Sequence, residues 1–190
     1  MPQFTLKPFL FFRTVLFYLA ATIAWTVAAI RTQEFGEPGE GFILELGYLL
    51  ILGFSLVVGM RNFRSGMLVM IPAGVILIFL IATFVLGLAL LAMHAPVWIY
   101  FIMNAAFVSV AMTWLIDWWD ELSFRKWTIV LTGGCLLIGY LLIGVCKSAL
   151  EEEFNIKARM SMFLIFQTVL IIPLAFGMAV EKLGAEQENM

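Results

Sequence analysis

Long apolar runs separated by short polar breaks set the pattern of this chain. The longest run, MLVMIPAGVILIFLIATFVLGLALLAM from Met67 to Met93, holds 27 residues with no charge and one hydroxyl, Thr83. As a helix it reaches about 40 Å, beyond the roughly 30 Å hydrocarbon core of a bilayer. It has no polar face to turn toward water, so its solvent is lipid or other membrane helices. Similar runs recur along the chain. They predict six transmembrane helices, at about 8–30, 42–60, 67–93, 97–118, 127–146 and 161–180. The expected fold is all-α, a polytopic bundle in which residues 1–190 form one membrane domain.

The breaks carry the turn chemistry. Arg31 to Gly41 reads RTQEFGEPGEG, with three glycines and a proline to stop a helix and three glutamates to make it acidic. Arg61-Asn62-Phe63-Arg64-Ser65-Gly66 is a tight basic loop, and His94-Ala95-Pro96 is a minimal turn. Ser148 followed by Glu151 fits a capping box, which predicts that helix restarts near Ala149. Lys7 and Arg13 ahead of an apolar stretch resemble a signal peptide. The run from Pro8 to Ile30 is too long for an h-region of about 7–15 residues, so it is read as a first helix that stays attached. The polar segment MPQFTLK and the tail EKLGAEQENM are expected to be short ends, the tail frayed.

Composition strengthens the membrane reading. Hydrophobic residues make up 63% of the chain, charged residues 13%, and the mean hydropathy is +1.04. A soluble domain carries about 45–50% apolar and about 25% charged residues. A net charge of −2 excludes a nucleic-acid partner, which needs a basic face. Cys135 and Cys146 fall in one apolar run. On a helix they stand about 16 Å apart, too far for a disulfide, and read as small buried hydrophobes.

Charge also suggests an orientation. With six crossings both ends share a side. That side holds Lys7, Arg13, Arg61, Arg64, Arg125, Lys126 and Lys182, against Arg31, Lys147, Lys157 and Arg159 on the other. The positive-inside rule then places both termini in the cytoplasm, and the compact loops favour a bacterial cell inner membrane. Trp25, Trp98, Trp118, Trp119 and Trp127 fall near span ends, as interfacial anchors do.

Three polar residues stand inside apolar spans. Glu45 is ionisable, and such a group within a span is a functional candidate because its charge is costly there. Its structural alternative is an ion pair with Arg31, at the end of the preceding helix on the same side. Asn104 and Gln167 are amides near mid-span. They serve either as interhelical hydrogen bonds or as the lining of a solute path, with Thr22, Thr132 and Tyr140 as candidate company. Asp117, Trp118, Trp119, Asp120 and Glu121 form a polar-aromatic connection that could dock a partner. Ala20, Ala24 and Ala28, together with Gly134 and Gly139, form small-residue stripes suited to close helix packing.

No catalytic or metal constellation emerges. The sole histidine, His94, has neither cysteine nor carboxylate beside it, and no cofactor is expected. Glu152-Glu153 before Lys157 falls short of the paired-glutamate motif of the CAAX-type intramembrane proteases, which ends in Arg and requires histidines downstream. There is no Gly-x-Ser-x-Gly, HExxH, Walker A or dinucleotide loop. The expectation is a non-catalytic subunit or scaffold of a membrane complex, its partners being lipid, other membrane proteins or a second copy of itself. The alternative is a small solute or ion transporter or channel using Glu45, Asn104 and Gln167.

Overall fold

A computed structural model describes residues 4–32, 40–94, 96–120, 122–150 and 156–182; side chains are described for 5–29, 45–94, 96–120, 122–143 and 164–180. The chain is almost wholly helical, as apolar surroundings require: without water, a backbone must satisfy its own N–H and C=O groups. Helix α1 spans Pro8–Thr32, α2 Glu40–Gly59 and α3 Met67–Leu80. A π turn at Ile81–Val85 links α3 to α4, Leu86–Ala92. Then come α5, Val97–Trp119, α6, Arg125–Leu150, and α7, Ile156–Ala179. Proline marks two starts: Pro8 opens α1, where its missing N–H costs nothing, and Pro96 stands extended just before α5.

Among the described residues, four stretches are long and apolar enough to cross a membrane: Pro8–Ala29, Met67–Ala92, Val97–Trp119 and Arg125–Ile143. The apolar parts of α2 and α7 within the described side chains, Glu45–Gly59 and Leu164–Ala179, are shorter. The outer surface is apolar around the bundle, with Phe12, Ile23, Leu88, Leu91, Trp98, Trp118 and Leu141 all more than half exposed. A surface of that kind belongs in lipid.

Each helical segment packs on the next in sequence, and α7 closes the ring by packing on α1 and on α2. The core runs through Leu52, Leu56, Met67, Ile71, Val75, Met112, Ile116, Leu170 and Leu174. Lipid tails are as apolar as these side chains, so shape fit rather than the hydrophobic effect holds the helices together. Gly53 shows how tight the fit is. A Cβ there would lie 2.5 Å from Cα of Pro72, so α2 and α3 touch backbone to backbone.

Two short strands were not expected. Phe4–Leu6 (β1) pairs antiparallel with Val180–Lys182 (β2), in the register Phe4↔Lys182, Thr5↔Glu181, Leu6↔Val180. Lys7 N–H adds a bond to Ala179 O at 2.8 Å. The start of the tail is therefore ordered against the N-terminal segment, and only 183–190 lie outside the described residues. Arg61 fastens this end. Its guanidinium donates to Met178 O and Val180 O, satisfying carbonyls at the end of α7, and its amide N–H donates to Asp120 Oδ2.

Two further expectations change. Helix α6 runs on through Ser148 to Leu150, so Ser148 is no N-cap; nothing between Gly144 and Leu150 forces a break, and 151–155 lie outside the described residues. The run from Met67 to Met93 is not one regular helix, because the π turn interrupts it.

Candidate functional site

The π turn is where the site forms. Leu86 N–H reaches back to Ile81 O, five residues rather than four, and the wider turn opens the helix flank. On the facing helix α5 stands Asn104, 4% exposed. Its Nδ2 donates to Ala82 O at 3.2 Å and to the Tyr100 hydroxyl at 3.3 Å. From α6, the Tyr140 hydroxyl donates to Asn104 Oδ1 at 2.5 Å. Ala82, Asn104 and Tyr140 each stand 15 residues from the end of their segment that lies on the strand face, at Met67, Trp119 and Arg125. At 1.5 Å per residue that sets all three at about 22 Å depth, which is why they meet.

Around this network lies a cleft of about 260 Å³, lined by Phe79, Thr83, Tyr100, Phe101, Asn104, Tyr140, Ile143 and Phe166. The rings are mutually fixed. Phe101 stacks on Tyr140 at 4.8 Å between centroids, and Phe166 meets Phe79 at 5.5 Å and Tyr140 at 5.4 Å. Asn104 spends both amide hydrogens inside the network. Tyr100 accepts there, so its own O–H remains to donate; Tyr140 donates there, so its oxygen remains to accept. The cleft thus offers aromatic faces, one phenol donor and one phenol acceptor, with no charged side chain among the described residues of its lining.

The three path residues named from sequence do not converge on this cleft. Asn104 lines it, whereas Gln167 and Glu45 do not. Gln167 follows Phe166 on α7 and is fully buried, with neither Nε2 nor Oε1 hydrogen-bonded among the described residues. Glu45 is half-buried on α2, one turn before Tyr48, whose hydroxyl lies 2.8 Å from Thr26 Oγ1 of α1. The Arg31 side chain lies outside the described residues, and so does that half of the Arg31–Glu45 pair. Of the candidate company, Tyr140 joins Asn104; Thr132 is buried with its hydroxyl unpartnered among the described residues, and Thr22 is buried on α1.

The polar-aromatic connection divides in two. Trp118 is 68% exposed and stacks edge-on with Trp114. Asp120 instead turns inward, 4% exposed, onto the Arg61 amide. Asp117 is also engaged, accepting from Leu122 N–H and bridging Arg125 at 2.9 Å. Glu121 lies outside the described residues. The small-residue stripes also divide. A Cβ on Gly139 would meet Val169 of α7 at 3.5 Å, whereas one on Gly134 would meet nothing within 4 Å. Ala20, Ala24 and Ala28 all face outward from α1. Sequence reasoning missed the roles of Tyr100 and the π turn. Tyr100 sits one turn before Asn104, a spacing that could have flagged it; the π turn leaves no signal in ATFVLG. No three or more His, Cys, Asp or Glu side chains gather as a metal site among the described residues. Compared with protein-family models, curated proteins and solved structures, the chain matches none.

Proposed function

We propose that the protein crosses the cell membrane six times, with both ends in the cytoplasm, and binds a small uncharged ring-bearing molecule in the Asn104 cleft as a step in carrying it through or along the bilayer. The cleft is the observation that carries this reading. Aromatic walls suit a flat apolar ring. The Tyr100 O–H suits a hydrogen-bond acceptor on that ring, and a lining without charge among the described residues disfavours ions. Gln167 supports a path that continues inward. A buried amide with no partner costs roughly 1–3 kcal/mol, and a passing polar group would recover it. Pairing of β1 with β2 supports an even number of crossings, because it holds the two chain ends together. Phenols, an amide and a threonine hydroxyl bind rather than react, which favours a non-catalytic role.

A second reading, a subunit of a membrane complex or of a homo-oligomer, is supported by the outward-facing Ala20, Ala24 and Ala28 and by exposed Trp118. The two are compatible in one molecule.

Benzophenone, a flat aromatic ketone that cross-links on irradiation, tests the first reading. With protein in vesicles, adducts mapped by peptide mass spectrometry should concentrate on Phe79, Tyr100, Tyr140 and Phe166. Tyr100→Phe, which removes only the hydroxyl, should reduce them by roughly fivefold. Adducts spread evenly over lipid-facing Leu88 and Leu141 would sink the proposal.

A further inference from the structure

A second cleft lies at the strand face, between α1, α2 and the start of α3. It measures about 450 Å³, within the range of small-ligand sites, about 300–1,000 Å³. Its lining combines two arginines, Arg13 and Arg61, with the apolar side chains of Phe17, Phe54, Val58 and Leu68, which form its trough. Phe17, Phe54 and Leu68 are each more than a third exposed, so the trough opens sideways, where the bilayer lies.

Arg13 sets the chemistry. It lies in the second turn of the apolar stretch Pro8–Ala29. Its Nη donates to Met60 O at 2.8 Å, and its guanidinium carbon lies 5.6 Å from the Phe9 ring centroid. Its Nε is sealed from solvent and has no hydrogen-bond partner among the described residues. No carboxylate among the described residues pairs with this guanidinium. A carbonyl and a ring face are partial partners for a full charge at the edge of a membrane, where a charge without a counter-ion is expensive. Arg61, also in the lining, donates from its guanidinium to the Met178 and Val180 carbonyls. Asp120 accepts from the Arg61 backbone amide.

We infer that this cleft binds an anionic glycerophospholipid, its phosphate against the Arg13 guanidinium and an acyl chain along Phe17, Phe54, Val58 and Leu68. A guanidinium matches a phosphate with paired N–H donors. The trough explains why the phosphate belongs to a lipid: inorganic phosphate would gain the charge and leave the apolar wall unused. Basic pockets between membrane helices on the cytoplasmic side recognise lipid headgroups on the same physical terms. The site is separate from the Asn104 cleft and shares no lining residue with it.

Native mass spectrometry of the full chain in mild detergent tests it, with dioctanoyl phosphatidylglycerol as the probe. One lipid should bind per chain. Arg13→Gln should weaken it by roughly tenfold, and Arg13→Lys should restore most of the loss. Val58→Phe fills the trough and leaves the Arg13 guanidinium, so it should weaken the lipid without affecting inorganic phosphate. Equal binding of the lipid to wild type and Arg13→Gln overturns the inference. So does equal binding of dioctanoyl phosphatidylcholine, which removes the charge argument. Displacement of the lipid by an equal concentration of phosphate would mark a free-anion site and overturn the lipid assignment.

Discussion

Asn104 does three things at once: it donates to a backbone carbonyl of the π turn, donates to Tyr100 and accepts from Tyr140. Replacing it with leucine keeps the branched shape and leaves the Tyr140 hydroxyl and the Ala82 carbonyl without it. Asn104→Leu should therefore lower stability by about 1–3 kcal/mol, read from thermal or denaturant unfolding in detergent. Tyr140→Phe leaves only Asn104 Oδ1 short of a donor and should cost about 1 kcal/mol. A smaller loss for Asn104→Leu than for Tyr140→Phe would mean that Asn104 is not the hub. An amide inside an apolar run was legible in the sequence. Its partners were not, because Tyr140 is 36 residues away and meets it only through the depths at which α5 and α6 are set.

Among elements, the helix-forming stretches were legible because apolar runs without water have few other ways to satisfy their backbones. What each glycine does was not. Gly53 faces Pro72 so closely that Gly53→Ala should force α2 and α3 apart and cost about 1–3 kcal/mol. Gly134→Ala meets nothing and removes a flexible residue from a helix, so it should stabilise by about 0.5–1 kcal/mol. Unfolding both variants under the same detergent conditions decides the matter; equal effects would contradict the packing. The π turn was invisible for a related reason. Thr83, Phe84 and Val85 are ordinary in any apolar helix, and nothing in that run sets the extra residue in the turn apart.

For the whole molecule, the ring of helices closes when α7 meets α1, and the β1–β2 ribbon ties the chain ends at that seam. Tags on the two termini should therefore be cleaved together by a protease added to one side of sealed vesicles, and both survive together when it is added to the other. Cleavage of one tag from each side would break the ribbon and the six-crossing reading with it. The basic residues Arg13 and Arg61 gather near the same seam, which agrees with the charge asymmetry counted along the chain. Charge counting could place both arginines on one face. It could not show that they flank a common cleft, since they stand on different segments.

The sequence by itself determined that this protein is helical and apolar on the outside, because hydropathy and length act on each run separately. It also determined which polar residues would be stranded among apolar ones. Tertiary structure alone decided which of those residues share a cleft, which glycines bear a close approach and where the two ends join. Those outcomes depend on depth and rotation of one helix against another, and such relations are properties of pairs of segments that no single run contains.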